Sequence, residues 1–504
     1  MGYAITYARA QIGVDAPLVT VEADISQGLP QIQIVGLPET AVKEAKDRVK
    51  SAIINAGFQT PNRRVTINLA PADLPKQGGR YDLAIALSIL AANGDIPAER
   101  IADREWLGEL ALNGELRGVQ GVLPAAVQAA ASHRILAVPL VNEGEAGLAG
   151  TANIETASHF SEIIAAIKGP NSLPKARVFQ ASSRSSHMLL DDVRGQDLAK
   201  RALTIAAAGG HNIIFIGPPG TGKTMLASRL ASLLPALNAS QALEVASIYS
   251  VSQQGFDPST WAQRPFRAPH HTSSAVALVG GSSPPRPGEI SLAHHGVLFL
   301  DELPEYPRKV LEVLREPLES GEIQISRAHY QVRYPARFQL VAAMNPCPCG
   351  YFGAESDRCR CSEDKVSQYR GRVSGPLMDR IDLHVEVPAL TASTLTESSA
   401  RQDNPEHREA CRVISAARQK MLKREGTQNA DLDARTIRQS VRLRPDDRQL
   451  LEHAFEKLGL SARGYFKVLR VARTIADLAG DEEVATRHLT EALGFRKLDR
   501  FRPA

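Results

Sequence analysis

Long apolar runs are missing from this sequence. The longest, such as residues 213–216 and 340–344, fall far short of the roughly 20 apolar residues that a membrane-spanning helix needs. The N-terminus also lacks a basic segment followed by an apolar one, which is the pattern of a secretory signal. We therefore expect no membrane partner and a cytoplasmic location.

Cysteine is scarce, and neither sign of charge is in large excess. Five cysteines in 504 residues are too few for a disulfide framework, yet four of them fall between positions 347 and 361. The formal net charge of +4 is too small by itself to indicate a nucleic-acid partner. From residue 401 onward, however, 22 Lys and Arg stand against 16 Asp and Glu, a net +6. This surplus fits either a solvated helical surface or one that faces a polyanion.

The hydrophobic pattern predicts an α/β multidomain chain, with about three domains at about 150 residues each. Residues 1–168 mix strand-like alternation with helical periodicity and predict an α+β domain, whereas residues 169–188 have the composition of a linker. Residues 189–388 alternate short apolar strands with helices, which predicts a parallel sheet with crossover helices. Residues 389–504 predict an inserted helix followed by a basic, helical lid.

A complete phosphate-binding loop follows the apolar strand at residues 213–216. Its glycines allow backbone N–H groups to surround phosphates, its lysine brings a positive charge to the β- and γ-phosphates, and its threonine hydroxyl reaches Mg²⁺. The N-terminus of the helix that follows adds its dipole. The sequence therefore predicts that ATP and Mg²⁺ bind to Gly217, Pro218, Pro219, Gly220, Thr221, Gly222, Lys223 and Thr224.

Two adjacent carboxylates follow a second apolar strand, residues 297–300. Open α/β sheets bind ligands at the carboxyl ends of their strands, so the pair is expected beside the phosphate-binding loop. We expect Asp301 to hold Mg²⁺ together with Thr224, and Glu302 to polarise the attacking water. An isolated Asp-Glu pair is usually surface, but its place after the loop favours a role in hydrolysis.

Three further residues are candidates for completing the hydrolytic site. Asn345 ends a short apolar strand and is suited to aligning water and the γ-phosphate. Arg380 follows a turn of small residues and is expected to reach a neighbouring subunit's nucleotide as an arginine finger, with Arg370 and Arg372 as alternatives. Arg463 stands at the start of a predicted lid helix. Alone, each would more often be a surface salt-bridge residue; their order after the two carboxylates favours function.

The clustered cysteines form two Cys-x-Cys pairs that are nine residues apart. Four thiolates are the number that a closed tetrahedral zinc site uses, although the one-residue gaps are tighter than the usual two to four. Soft sulfur ligands select zinc, and the alternative is a turn with four reduced thiols. The candidate zinc ligands are Cys347, Cys349, Cys359 and Cys361.

With these motifs in place, the sequence resembles the YifB/ComM family of magnesium-chelatase-like AAA+ ATPases over its full length. The stretches that carry the resemblance are residues 265–272, 296–302, 344–350 and 461–464. The resemblance implies a hexameric ring, with Asn345 as sensor 1, Arg380 as arginine finger and Arg463 as sensor 2. It also implies that the chain belongs to a clade that includes the MCM helicases. In this clade a hairpin before sensor 1 acts on the substrate.

The N-terminal part resembles the proteolytic domain of Lon, which has a ribosomal S5 domain 2-like fold, through residues 75–79 and 108–110. The nucleophilic serine of that domain would fall at Arg80, and its lysine partner near Leu123. Without a hydroxyl and an amine at those positions the Ser-Lys chemistry cannot run. Lys76 has no evident nucleophile beside it, so we predict a binding or assembly module and not a peptidase.

The resemblance favours a hexameric DNA motor, a helicase or branch-migration translocase that acts in the recombination of transforming DNA. Residues 322–338 show the alternation of a half-exposed hairpin, and Arg327 and His329 at its tip would contact DNA phosphates. A plain surface hairpin is the other interpretation. The alternative function is a magnesium-chelatase-like motor that remodels a protein partner. The complete carboxylate pair argues against a nucleotide switch without hydrolysis.

Overall fold

The N-terminal strands form where the sequence alternates apolar and polar residues. The computed structural model describes residues 2–150, 153–177, 188–327, 330–353, 358–390 and 405–496. Every second residue of the second strand, from Val19 to Ile25, is buried, as expected for a strand with one face on a core. The strands of this part are β1 (Gly2–Arg9), β2 (Leu18–Ser26), β3 (Gln31–Val35), β4 (Arg64–Ala70), β5 (Arg104–Trp106), β6 (Glu109–Leu110), β7 (Leu116–Arg117), β8 (Ile135–Pro139) and β9 (Ile154–Ala157).

These strands build a mixed seven-stranded sheet in the order β3-β4-β2-β1-β5-β8-β9. Strand β2 runs antiparallel to both β1 and β4, and the other neighbours pair in parallel. Helix α3 is apolar on almost every side and is buried against β1, β2 and α2. The helices are α1 (Thr40–Lys43), α2 (Ala45–Asn55), α3 (Asp82–Ala92), α4 (Val122–Ala131), α5 (Glu143–Ala146) and α6 (Phe160–Lys168).

The central part of the chain is built on a parallel five-stranded sheet, as the sequence predicts. Its order is β11-β14-β17-β10-β18, and every neighbouring pair is parallel. The strands are apolar on both faces because helices cover both sides of a parallel sheet. The strands are β10 (Ile213–Ile216), β11 (Phe266–Arg267), β14 (Val297–Leu300), β17 (Gln339–Met344) and β18 (Leu383–Glu386), with the short β12 (Gly280–Gly281) and β13 (Arg286–Pro287) and the hairpin β15 (Glu322–Arg327) and β16 (Tyr330–Pro335).

Nine helices accompany this sheet in the described residues between 188 and 390. The longer ones pack on the sheet, and α8 starts directly after the phosphate-binding loop. The helices are α7 (Asp197–Gly209), α8 (Lys223–Leu233), α9 (Ala239–Ser250), α10 (Ala275–Val279), α11 (Glu289–Leu292), α12 (Arg308–Glu312), α13 (Pro317–Ser320), α14 (Glu363–Arg370) and α15 (Gly375–Met378).

The C-terminal part is helical, as predicted, and packs against α7. Its helices are α16 (Pro405–Glu425), α17 (Ala434–Ser440), α18 (Pro445–Leu458), α19 (Ala462–Ala479) and α20 (Thr486–Gly494). Helices α16 and α19 both contact α7 and contribute to the same core as the central sheet. Every helix in the described parts of the chain is too short or too polar to cross a membrane.

In the described residues, the N-terminal part contacts the central part through α4 and through the turn after β1. Helix α4 packs on α9, with Leu123 and Ala246 buried in one apolar cluster. The turn after β1 packs on β16, where Gly13 has a φ of +60° and a Cβ would lie 2.4 Å from Cγ1 of Val332. Glycine is required there both by the left-handed backbone and by the close approach. The turn therefore contacts the hairpin that precedes β17.

Candidate nucleotide-hydrolysis site

The phosphate-binding loop, residues 217–224, joins the end of β10 to the first turn of α8. Gly220 and Gly222 have φ values of +78° and +86°, and a Cβ at either would meet no atom within 4 Å. Gly217 differs, because a Cβ there would lie 2.1 Å from the carbonyl oxygen of Val387. Gly217 therefore lets the loop pack against the segment that follows β18 in the same chain. The other two glycines leave an open face toward a ligand.

Lys223 begins α8, and its side chain contacts both the loop and the residue that follows β17. Its Nζ donates to the carbonyl oxygens of Gly217 and Pro218, both at 2.8 Å, and to Oδ1 of Asn345 at 3.1 Å. Burial lowers the pKa of Lys223, while the charges of Asp301 and Glu302 oppose that shift. The structure thus brings the predicted phosphate-binding lysine and the predicted sensor asparagine into direct contact.

Thr224, in the first turn of α8, meets Asp301, which directly follows β14. The Thr224 hydroxyl donates to Oδ2 of Asp301 at 2.7 Å, and the other carboxylate oxygen accepts the N–H of Glu302 at 2.9 Å. A hydroxyl and a carboxylate are hard oxygen ligands of the kind that Mg²⁺ uses beside phosphates. The two residues that the sequence predicts to hold Mg²⁺ therefore lie side by side.

Glu302 turns out of the strand at the end of β14. Its φ is +50°, which is unusual for a residue other than glycine and is typical of strained functional positions. Its Oε2 lies 3.1 Å from Nδ1 of His271, and half of its side chain (51%) is exposed. Since the side chain is not buried, the carboxylate has room to turn toward a ligand.

His271 is the site residue that sequence reasoning missed. Its ring lies edge-on to that of Tyr306, at 6.5 Å between centroids, and the Tyr306 hydroxyl donates to the carbonyl oxygen of Pro269 at 2.6 Å. The only signal in the sequence was its place in the distinctive stretch 265–272, which carries no rule that pairs it with Glu302.

Arg380 and Arg463 lie together around Glu319, and in the described part of the chain neither contacts the phosphate-binding loop. Oε1 of Glu319 is 2.6 Å from Nη2 of Arg380 and 3.3 Å from Nη2 of Arg463. Arg380 also donates to the carbonyl oxygens of Arg315 and Pro376, at 3.1 and 2.7 Å. The Arg380 side chain is only 9% exposed, compared with 62% for Arg463.

The alternatives for the arginine finger lie nearer to the nucleotide loop. Arg370 donates to the carbonyl oxygen of Pro346 at 3.0 Å, directly after Asn345. Arg372 pairs with Glu305 at 3.1 Å and is half-exposed. Both therefore contact residues beside those predicted to hydrolyse ATP.

The four clustered cysteines converge on one point. Cys347, Cys349 and Cys359 have Sγ–Sγ distances of 3.3, 3.7 and 3.9 Å, and all four sulfur atoms, with Cys361, lie within 4.8 Å of one another. The loop that carries them starts two residues after Asn345. A Cβ on its Gly350 would lie 2.6 Å from Cδ of Pro219, so this loop packs directly on the phosphate-binding loop.

The hairpin of β15 and β16 precedes β17, and its apolar residues share one face, as the alternation predicts. Ile323 pairs with Tyr334 and Ile325 with Val332, and these four side chains are buried in the core beneath the sheet. The Tyr334 hydroxyl donates to the carbonyl oxygen of Pro285 at 2.9 Å. The predicted DNA contacts, the Arg327 side chain and His329, lie outside the described residues.

Three family models match the chain in succession. Those described as "Subunit ChlI of Mg-chelatase", "Magnesium chelatase, subunit ChlI" and "Magnesium chelatase, subunit ChlI C-terminal" match residues 21–142, 189–395 and 406–496. The Magnesium-chelatase 38 kDa subunit of Cereibacter sphaeroides is 25% identical over 319 residues, which cover 58% of this chain and 86% of that protein.

Two relatives match over almost the whole chain. The Competence protein ComM of Haemophilus influenzae is 49% identical over 506 residues, which cover 99% of this chain and 98% of that protein. The Uncharacterized protein YifB of Escherichia coli is 48% identical over 500 residues, again 99% of this chain and 98% of that protein. The chain therefore belongs to the YifB/ComM family of magnesium-chelatase-like AAA+ ATPases.

Proposed function

We propose that this chain hydrolyses ATP and uses the energy to move on DNA, as a hexameric helicase or branch-migration motor. The observation that carries the hydrolytic part is the meeting of Lys223, Thr224, Asp301, Glu302 and Asn345 at the carboxyl edge of one parallel sheet. The DNA part is supported by the family, since one full-length relative is named a competence protein.

Each residue of the site has a role in this proposal. Lys223 exchanges its two carbonyl contacts for the β- and γ-phosphates, and Thr224 and Asp301 are the residues that would hold Mg²⁺. Bound Mg²⁺ supplies charge that offsets the developing charge on the phosphate oxygens. Asn345 aligns the attacking water. Glu302 polarises that water after its carboxylate leaves His271, while Arg380 and Arg463 serve as arginine finger and sensor 2.

The proposed domains are a Lon-protease-like module at residues 1–168, a linker at 169–188, an ATPase core at 189–388, and an inserted helix with a helical lid at 389–504. The position of the missing serine supports a module without peptidase activity. The Arg80 side chain is buried there, and its guanidinium donates to the carbonyl oxygen of Gln120 at 2.6 Å. Lys76 is also buried and donates to the carbonyl oxygen of Pro71.

The cysteine cluster is proposed to hold one structural zinc ion. Zinc bound to four thiolates at about 2.3 Å in a tetrahedron requires sulfur–sulfur distances of about 3.8 Å. The three Sγ–Sγ distances of 3.3 to 3.9 Å fit that requirement without any large movement of the loop. The ligands would be Cys347, Cys349, Cys359 and Cys361.

The hairpin is the proposed DNA contact. Its base is held by buried side chains, and only three residues separate the end of β16 from β17, which carries Asn345 at its other end. A shift of Asn345 on hydrolysis would therefore be passed to the hairpin through one strand. Arg327 and His329 at the tip would contact phosphates of any sequence, and this binding would weaken as the salt concentration rises.

DNA binding and unwinding test this proposal. Arg327→Ala combined with His329→Ala should leave basal ATP turnover intact, lower its stimulation by DNA and impair the movement of strands or junctions. The matched control is Arg333→Ala, a basic residue on the body of β16 and not at its tip. Full DNA stimulation and unwinding by the double variant would show that the hairpin does not couple ATP hydrolysis to the movement of DNA.

The second candidate is a motor that remodels a protein partner. It is favoured by the three magnesium chelatase models, which match successive parts of the chain. Binding to DNA separates the two candidates, because a phosphate-contacting motor must bind DNA with an affinity that falls steeply with salt. If none of the tested DNAs binds tightly at low salt, the result would favour a protein partner.

A further inference from the structure

Glu319 joins the two arginines that the proposed function assigns to hydrolysis. Its single oxygen Oε1 contacts Nη2 of both Arg380 and Arg463, at 2.6 and 3.3 Å. Two like charges this close repel each other unless an opposite charge lies between them, so the carboxylate is what allows the guanidinium groups to stand side by side.

The surroundings show that this arrangement is built into the fold. Helix α19 lies along the segment that contains Arg380. Two of its basic residues, Arg463 and Lys467, are one helical turn apart and contact this region. Arg463 reaches Glu319, and Lys467 pairs with buried Asp382 at 2.9 Å. Residues four apart lie on the same face of a helix, so one face of α19 sets both contacts.

Open space lies directly beside the paired arginines. A cavity of about 360 Å³ is lined by Glu312, Arg315, Glu316, Glu319, Ser320 and Arg380. Arg380 forms part of its wall and is otherwise held by backbone carbonyls. An anion that enters this space from outside the chain would meet Arg380 beside the carboxylates of the same lining.

We propose that Glu319 is a positioning residue that holds Arg380 and Arg463 as a pair, so that both face the terminal phosphate of ATP bound to a second copy of this chain. This inference rests on the proposed function, because it takes both arginines as hydrolytic. It adds the carboxylate that holds the two guanidinium groups side by side. It also places Glu319 in α13, which ends two residues before the hairpin strand β15 begins.

Substitution of Glu319 tests this role. Glu319→Gln keeps the size of the side chain and removes the charge, and it should lower kcat by about 10- to 100-fold, since small misplacements of positioned groups have effects of this size. The KM for ATP should change by less than about twofold, because the phosphate-binding loop of the same chain is untouched. Glu319→Asp should recover part of the loss. The matched control, Glu316→Gln, changes another carboxylate of the same cavity and should retain the parent rate.

Two further measurements separate a positioning role from a structural one. Glu319→Gln with Arg463→Ala should be no slower than Arg463→Ala alone, because residues that act through one another are not additive. Rings that mix Glu319→Gln chains with Glu302→Gln chains should regain turnover, since the second chain supplies intact arginines to the first. Additive losses, an unchanged or increased kcat in Glu319→Gln, or no recovery in rings shown to be mixed would each overturn the proposal.

The proposed function and this inference fail in different ways. If the parent chain itself turns over no ATP, the hydrolytic proposal fails, and with it the role of Glu319 in hydrolysis. If the parent is active and Arg380→Ala is inactive while Glu319→Gln matches the parent, only the positioning role fails.

Discussion

The contact between the cysteine loop and the phosphate-binding loop can be tested by adding one methyl group. Gly350 has a φ of +86°, and a Cβ there would lie 2.6 Å from Cδ of Pro219 and 3.9 Å from Cγ of Asn345. Gly353 in the same loop has a φ of +77° and no atom within 4 Å of its Cβ position. Gly350→Ala and Gly353→Ala therefore impose similar backbone strain, but only Gly350→Ala presses on the nucleotide site.

The expected difference between these variants follows from that contact. A left-handed backbone costs an alanine roughly 1–2 kcal/mol, and this term is shared by both variants. Overpacking adds about 1–3 kcal/mol in Gly350→Ala alone, because Pro219 must move by several tenths of an ångström. If this extra free energy opposes the nucleotide-binding conformation, the Kd for ATP rises about 5- to 150-fold relative to Gly353→Ala.

Equilibrium titration of a fluorescent ATP analogue measures this ratio, and the Glu302→Gln background prevents hydrolysis during the titration. Urea unfolding of both variants reports the shared backbone strain separately. Equal ATP affinities in the two variants, with folded proteins and similar losses of stability, would refute the inferred contact between Gly350 and Pro219.

The other predictions concern the proposed hydrolytic site and the proposed zinc site. Glu302→Gln should bind ATP as the parent does and abolish turnover, because the amide keeps the shape of the side chain and loses the charge that polarises water; turnover near the parent rate would remove Glu302 from this role. Arg380→Ala should bind ATP and lose about 10³-fold or more in turnover, and mixing it with Glu302→Gln chains should restore some activity. No recovery at any ratio, in rings shown to be mixed, would count against action across a subunit boundary. Protein purified without added metal should contain one zinc per chain, and Cys347→Ser or Cys361→Ser should release it. A zinc content near zero, with thiols that titrate freely, would show that the cysteines do not form a zinc site.

The phosphate-binding loop and the strands β10 and β14 were predictable because their sequence signals are local. Strands β10 and β14 are short apolar runs that end at a glycine-rich loop and at two carboxylates, and both occupy the residues predicted for them. The helix that begins at Pro405 was predictable from the proline in its first turn. The buried face of the hairpin followed from its alternation of apolar and polar residues.

The contacts around the site that were not predicted join residues far apart in the chain. His271 reaches Glu302 only because β11 and β14 are neighbours in the sheet, and sequence periodicity does not specify the order of strands. Glu319 meets Arg463 only after α19 docks beside Arg380. The sequence predicts that Arg380 reaches the nucleotide of a neighbouring subunit, and it does not predict that this side chain is almost buried in the single chain. Such placement depends on tertiary packing.

The coupling of ATP hydrolysis to DNA is tested most directly by the steady-state ATP turnover of the parent chain with and without DNA. Single-stranded, duplex and four-way-junction DNA are compared at low salt, with Glu302→Gln as the blank. For a DNA motor, at least one of these DNAs should raise the rate several-fold, and the blank should stay inactive with all of them. An active parent whose rate is the same with every DNA would contradict coupling to DNA and favour a protein substrate.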